Sequence, residues 1–341
     1  MFTSIIIVNY NLGKILENCI SSILKTQNCN YEIILVDNAS TDNSHKICKE
    51  KYPDIILVEN DENLGYAEGN NIGIKNSKGD FIVILNPDAV VEPNWLENLH
   101  QSYNKYGDGF YQPKIMKLGE KDKIENTGYM VTLYFYSYQR GFNEKDNGQY
   151  NEFSTIGYAS GACFLTSKKI LEKIGNFDPY LFGYYDEINL IWRAAQLGIK
   201  SYYVPTSVIY HELDESFKKI SKKKFYLMER NRWYCYLTLY SRKTLYKILP
   251  GLLLLEAFLI FYYLANGMIK EKIKAHQDLF RDRKLIKKKY HELEGKKIKP
   301  DKYIIRKFMY IPTFKLPYNS RSGKIRNSLT SFLEKISLHF L

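Results

Sequence analysis

Four short runs of Ile, Val and Leu dominate the first hundred residues: SIIIV at 4–8, EIILV at 32–36, DIILV at 54–58 and DFIVIL at 80–85. Each has the length and the continuous apolar character of a strand covered on both faces. Helix-like segments lie between them, over residues 13–25, 42–51 and 66–76, and a fourth follows over 93–106. Asp42 stands as an N-cap would, and Pro93 suits a first helical turn. Strand and helix alternating four times predict a parallel sheet joined by right-handed crossovers.

Residues 107–165 read differently. Aromatic stretches at 130–138 and 157–166 suggest further strands around a polar loop at 141–152. Helices are expected over 167–174 and 186–197, then a short strand over 200–204, with the body ending near Asp214. Formal charge divides at the same place. Residues 1–215 carry 19 Lys and Arg against 28 Asp and Glu, a net of −9. Residues 216–341 carry 30 against 9, a net of +21. The overall +12 therefore averages an acidic body and a basic tail. A composition of 45% hydrophobic and 25% charged residues excludes wholesale disorder and collagen-like repeats. Five scattered cysteines without paired spacing argue against a disulfide framework or structural zinc and fit a reducing compartment. The first residues lack a basic segment ahead of the apolar run, so no secretory signal is expected.

The tail is helical and basic in pattern. Residues 248–269 are almost wholly apolar, interrupted by Glu256 and by Pro250, Gly251 and Gly267. A membrane-crossing helix needs about 20 apolar residues, which makes this stretch borderline. Glu256 and the Pro-Gly pair favour an interfacial or re-entrant segment, with a buried hairpin or a self-association contact as the alternatives. A charged helix follows over 270–290, and Ile325, Leu329, Phe332, Leu333, Ile336 and Phe340 form an amphipathic stripe.

In an open parallel sheet, ligands bind beyond the carboxyl ends of the strands. Those ends carry Asn9 after the first strand, Asp37 after the second, Asn63, Gly65 and Asn70 after the third, and Asn86 and Asp88 after the fourth. Any one of them is ordinary turn chemistry. Four on one edge point to a polar ligand. No GxGxxG follows the first strand and no GxxxxGK[ST] occurs, which disfavours a dinucleotide enzyme and a P-loop. Asp88 is placed to hold Mg²⁺ or Mn²⁺ through one carboxylate together with substrate phosphates.

Read in order, VNYN, VDNASTDNS, NLGYAEGNN, LNPDAVVEP, YASGACFLT, IGNFD and YYDEINLIWRAAQLG resemble glycosyltransferase family 2, in its rhamnosyltransferase-like branch. The resemblance covers about residues 3–240. It implies a GT-A fold, a mostly parallel Rossmann-like sheet flanked by helices. The domains expected are a nucleotide-sugar-binding and catalytic domain at 1–215 and a basic helical extension at 216–341. The implied reaction is inverting transfer of a sugar, rhamnose or another hexose, from a nucleotide diphosphate such as dTDP or UDP to an acceptor hydroxyl. By position in the motifs, Asn9 and Asp37 would contact the nucleobase, and Asn63, Gly65 and Asn70 would lie along the nucleoside. Asn86 and Asp88 fall on the family's D-x-D motif in an N-P-D form, which supplies one carboxylate less. His211 resembles a position near the diphosphate and is either a metal ligand or a packed residue. Arg230 matches a segment that approaches the diphosphate. Asp186 and Glu187 begin a helix, where acidic groups also complement the helix dipole; the family order is Glu-Asp, and alignment gives the general base to Glu187 with Asp186 as its neighbour. On the same helix, Trp192 is expected in the core and Arg193 in an ion pair.

The basic, apolar tail suggests an anionic membrane surface, with the enzyme cytoplasmic and peripheral to the inner face of the cell membrane, acting on a polyprenyl-linked or growing surface glycan. Nucleic acid is not expected as a partner. Two alternatives remain from sequence alone: a sugar nucleotidyltransferase, which lacks its basic glycine-rich loop here, and a basic nucleic-acid-binding protein with a degenerate catalytic body.

Overall fold

The computed structural model describes residues 1–212 and 221–308. The stripe expected over 325–340 lies outside the described residues. The chain divides into two compact units. The first comprises Met1–Tyr129, Gln139–Ala194 and Ile199–Leu213, and the second Met130–Tyr138, Ala195–Gly198 and Asp214–Leu341.

The first unit opens with the expected alternation. Strand β1 (Phe2–Asn9), helix α1 (Gly13–Ile23), β2 (Asn30–Asp37), α2 (Ser44–Lys51), β3 (Ile56–Glu59), α3 (Gly65–Asn76), β4 (Phe81–Leu85), β5 (Ala89–Val91) and α4 (Trp95–Tyr106) follow in turn. Then come β6 (Gly109–Lys117) and β7 (Ile124–Asn126), after which β8 (Tyr129–Val131) and β9 (Ser137–Gln139) form a separate hairpin that belongs mostly to the second unit. The first unit closes with β10 (Ser154–Ile156), β11 (Cys163–Ser167), α5 (Lys168–Ile174), a 3-10 turn at Pro179–Leu181, α6 (Asp186–Gln196) and β12 (Lys200–His211). The ten-stranded sheet runs β10-β12-β6-β11-β4-β1-β2-β3, with β5 beside β12 and β7 beside β6. β4, β1, β2 and β3 are mutually parallel, whereas β11 is antiparallel to both β4 and β6. Ile5, Ile7, Leu16, Ile20, Val83 and Trp95 anchor the core on one side of the sheet.

Local chemistry accounts for the departures from expectation. Asp42 does not cap α2 from the N-cap position; Asn43 occupies it with φ 59°. Asp42 instead accepts from Ser44 N at 3.0 Å and from Gly13 N at 2.9 Å, joining the starts of α1 and α2. The strand expected at 200–204 is far longer. Pro205 has no N–H to donate, so the register against β6 shifts between Val204 and Val208, and the strand then resumes. Its continuation pairs with β5, with His211 opposite Ala89. α3 packs close on β1 because Gly69 and Gly73 face it: a Cβ would lie 2.7 Å from Val8 Cγ1 and 2.3 Å from Ile6 Cγ2 respectively.

The second unit holds α7 (Lys222–Leu239), α8 (Arg242–Ala265), α9 (Ile269–Arg281), α10 (Arg283–Glu294) and α11 (Asp301–Phe308). Tyr236 and Tyr240 donate to the carbonyls of Tyr134 and Leu133 at 2.6 and 2.9 Å, fixing the β8–β9 turn. α8 continues through Pro250 as one helix rather than a re-entrant pair. Glu256 is buried beside Arg232 and Lys272, at 2.6 and 2.5 Å, and both cations also pair with buried Glu229.

Candidate active site

Parallel pairing sets the ends of β1 and β2 level, Asn9 opposite Asp37. Asn9 Nδ2 donates to Asp37 Oδ1 at 2.8 Å and lies 3.0 Å from both Ser40 Oγ and Ser44 Oγ. Asp37 Oδ2 accepts Ser40 N–H at 2.8 Å. The two expected residues thus form a buried latch, while Asn9 Oδ1 is buried without a hydrogen-bond partner. His45, for which the sequence carried no signal, sits between Asp37 (3.4 Å) and Glu59 (3.2 Å).

The third edge is built around Gly65. Its φ of +80° and a space in which a Cβ would stand 2.2 Å from the Phe182 carbonyl oxygen admit glycine alone. Asn63 Oδ1 accepts Gly65 N–H at 2.9 Å, and Asn38 Nδ2 donates to Gly65 O at 3.0 Å. Asn70 donates to Tyr66 O at 2.9 Å, and its own Oδ1 is buried without a partner. Tyr66 N–H donates to Phe182 O at 2.6 Å, and Asn71 exchanges hydrogen bonds with the Phe177 backbone at 3.0 and 3.1 Å. These contacts fasten the loop before α6 onto the start of α3.

That loop is strained. Phe182, Tyr184 and Tyr185 have φ values of 64°, 65° and 67°, a region bulky side chains rarely occupy. It delivers Asp186 and Glu187 into the first turn of α6, Asp186 buried and Glu187 half-buried. Burial pushes both carboxyls up, Asp186 far up, and the adjacent Glu187 adds to the shift on Asp186. A helix N-terminus alone would lower them, so desolvation prevails over dipole complementation here. Tyr66, donating to Gly161 O at 2.7 Å, has its phenol raised by burial and then by Asp186 and Glu187. A Cβ at Gly161 would stand 3.1 Å from the Tyr66 hydroxyl, so glycine there gives the phenol room to reach the Gly161 carbonyl.

The fourth edge joins β4 to β12. His211 is buried, with Nε2 at 3.1 Å from Asp88 Oδ1 and 3.2 Å from Asn86 Nδ2, and Nδ1 at 2.9 Å from Glu125. Burial opposes a charge on the imidazole, but Glu125 and Asp88 prevail and push it up to about 10. Glu125, on the three-residue β7, escaped the sequence reading, which had no pattern to mark so short a strand. Tyr129 lies between the two acid clusters. After burial, Glu187 and then Glu125 raise its hydroxyl, and its ring stacks on Tyr158 at 4.8 Å. Trp192 is in the core as expected. Arg193 donates to the carbonyls of Ile174, the last residue of α5, and of Asn176 just after it, both at 2.5 Å. Arg230 is on α7 in the second unit, where Nε donates to Asn231 Oδ1 at 3.0 Å.

Residues 4–175 match Glycosyl transferase family 2. The chain belongs to glycosyltransferase family 2. Relatives of this family include a hexosyltransferase of low-salt glycan biosynthesis from Haloferax volcanii, 26% identical over 70% of this chain and 76% of its own length. An N-acetylglucosaminyl-diphospho-decaprenol L-rhamnosyltransferase from Mycobacterium tuberculosis is 24% identical over 61% of this chain and 75% of its own. Among solved structures, GalNAc-T7 with UDP, GalNAc and Mn²⁺ superposes with a TM-score of 0.59 at 18% identity, covering 74% of this chain and 51% of that one. A mannosyltransferase from Pyrobaculum calidifontis, with GDP-Man and Mn²⁺, gives 0.51 at 13% identity over 99% and 85%. These likenesses show the GT-A fold. In this family 2 enzyme, a divalent cation fits the β4–β12 edge. Asp88 Oδ1 and His211 Nε2 face one another at 3.1 Å, and Glu125 holds the opposite ring nitrogen, as carboxylates do behind metal-bound histidines; a cation bound between them would displace the Nε2 proton. Among the described residues no three His, Cys, Asp or Glu side chains make a complete cage. Two ligands suit a cation whose remaining positions are filled by phosphate oxygens and water.

Proposed function

We propose that the chain is an inverting, divalent-metal-dependent glycosyltransferase that moves rhamnose or another hexose from a nucleotide diphosphate to a hydroxyl of a lipid-linked or surface glycan. The observation that carries it is Tyr129, a half-buried residue whose hydroxyl feels two acid clusters: the Asp186–Glu187 pair and the Glu125–His211–Asp88 chain. An inverting displacement needs a proton acceptor on one face of the sugar and charge neutralisation at the leaving group on the other. The names of the M. tuberculosis and H. volcanii relatives support the rhamnosyl or hexosyl class and a diphospho-polyprenol acceptor.

In the mechanism, Asn9, Asp37, Asn63, Gly65 and Asn70 bind the nucleoside, with the open acceptors Asn9 Oδ1 and Asn70 Oδ1 taking its N–H and O–H donors. Asn86 lines the donor at the end of β4. Asp88 and His211 would hold Mg²⁺ or Mn²⁺, which supplies neutralisation of the diphosphate's negative charge. Glu187 removes the acceptor proton while the acceptor oxygen bonds to C1 and the C1–O bond to the diphosphate breaks. Asp186, which retains its proton to higher pH, donates to Glu187 and keeps it the carboxylate of the pair. The enzyme works on the cytoplasmic side, peripheral to the cell membrane.

A screen of nucleotide sugars by thermal shift, with and without Mn²⁺, tests the proposal. A ligand of the native state must raise the melting temperature, at 100-fold excess over Kd by the equivalent of about 2.7 kcal/mol. One nucleotide sugar should stabilise in a Mn²⁺-dependent manner, and NMR of the product should show the inverted anomer. A retained anomer, or no stabilisation by any donor, overturns it.

A further inference from the structure

We infer that α8 is a monolayer-docking helix: it lies flat on an anionic lipid leaflet, inserts its outward apolar face and does not cross. This rests on the proposal that the enzyme works at a membrane, and it specifies which surface makes the contact and how deep it goes.

The two faces of α8 invert the usual rule. Its inward stripe, Thr244, Ile248, Leu252, Leu255, Glu256, Leu259 and Tyr263, is buried at helical spacing and contains the helix's one acidic residue. Its outward face carries Leu253, Leu254, Ala257, Ile260, Phe261 and Leu264, all exposed and with no charge among them. Phe261 is 74% and Leu254 62% exposed. A soluble helix presents polar residues to water at such positions, and a contiguous apolar patch of this kind marks an interaction surface. The patch continues onto α9 through Ile273 and Phe280, the side walls of an apolar groove of about 520 Å³ that Ile260 and Ile269 also line.

Three observations select a lipid leaflet over a second protein. Tyr246, 72% exposed, and Tyr262 add exposed rings with hydroxyls, which suit the headgroup boundary along which a flat helix rests. Lys243, Lys247, Lys270 and Lys274 flank the two ends of the face, and the region from 216 onward has a net charge of +21. That charge repels an identical copy and attracts anionic headgroups. Glu256 then fixes the depth. By length and composition α8 is capable of crossing a membrane. Crossing would draw Glu256 away from Arg232 and Lys272 into hydrocarbon, whereas lying flat keeps the cluster buried in protein.

The test uses the full-length protein and vesicles alone, with no donor or acceptor, so its failure leaves the transferase proposal standing. Flotation is compared on phosphatidylcholine vesicles and on an equal mixture with phosphatidylglycerol. Binding to the anionic vesicles and release by alkaline carbonate are expected. The double variant L254E/F261E should weaken partitioning at least about tenfold, the equivalent of about 1.4 kcal/mol. The control I47E, at an exposed isoleucine on α2, should leave it unchanged. Light scattering on the same variants completes the comparison. Carbonate-resistant insertion, partitioning unaffected by L254E/F261E, or a dimer that L254E/F261E dissolves while vesicle binding persists would each overturn the inference.

Discussion

The buried ion cluster of the second unit makes a demand on stability that one isosteric substitution exposes. Glu229, Arg232, Glu256 and Lys272 are each less than a tenth exposed, and their two negative and two positive charges cancel. Glu256→Gln keeps the shape but leaves a net positive charge in the interior. Arg232 Nη2, 2.6 Å from Glu256 Oε1, faces a neutral amide, and Lys272 Nζ loses the carboxylate 2.5 Å away. Removing one partner from a buried pair costs about 3–5 kcal/mol because the remaining charge stays desolvated. For a unit of this size each kcal/mol lowers the melting temperature by about 3 °C, so a loss of about 10 °C is expected by calorimetry. The double variant E256Q/K272M restores neutrality, leaving Arg232 paired with Glu229 at 2.9 Å, and should recover most of the loss. Equal melting temperatures for wild type and E256Q, or no recovery in the double variant, would refute this account of the cluster.

Four further outcomes follow from the same geometry. Glu187→Gln should lower kcat by about 10²–10⁴-fold, the range of general-base catalysis, with donor affinity unchanged by calorimetry. Because burial raises the Asp186 carboxyl in the folded state, the buried group favours its proton, and stability falls as pH rises from about 4 through the raised value. Asp186→Asn should therefore melt higher than wild type at pH 8 and equally at pH 4. Glu229 has the opposite sign. Burial opposes its charge, but Arg232, His276 and Lys272 hold its carboxyl well below the usual range, so its contribution is present above about pH 4.3 and lost on further acidification; circular dichroism should show steep acid unfolding that Glu229→Gln removes. Gly65→Ala places a methyl at φ +80° and 2.2 Å from Phe182 O, which should cost about 2–5 kcal/mol in urea denaturation and depress turnover by shifting the loop that aims Glu187.

The parallel half of the sheet was legible because Ile- and Val-rich runs such as IIIV and IILV fit only strands covered on both faces, and their ends differ from expectation by two residues at most. The β4–β12 edge was not. β5 is three residues long and looks like the tail of a turn, and Pro205 hides the continuation of β12 that carries His211 to Asp88. Glu125 is invisible for the same reason, its importance arising from a contact 86 residues away in sequence. Glu256 was visible as an interruption but its meaning was not. A charge in an apolar run counts against burial until Arg232, 24 residues earlier, and Lys272, 16 later, are found against it.

Buried carboxylates occur in both units, and their shifts run in opposite directions. Glu229 is nearly inaccessible, yet two cations within hydrogen-bond reach outweigh desolvation, so it stays charged and inert. Asp186 is equally hidden, but its nearest ionisable neighbour is another acid, so desolvation and repulsion act together and its proton affinity rises. A protein that needed only stability would have no reason to keep that uncompensated pair behind three left-handed aromatic residues. Strain and desolvation stored in the same few residues have a use where a proton must be taken up at a fixed point, the role proposed for the start of α6.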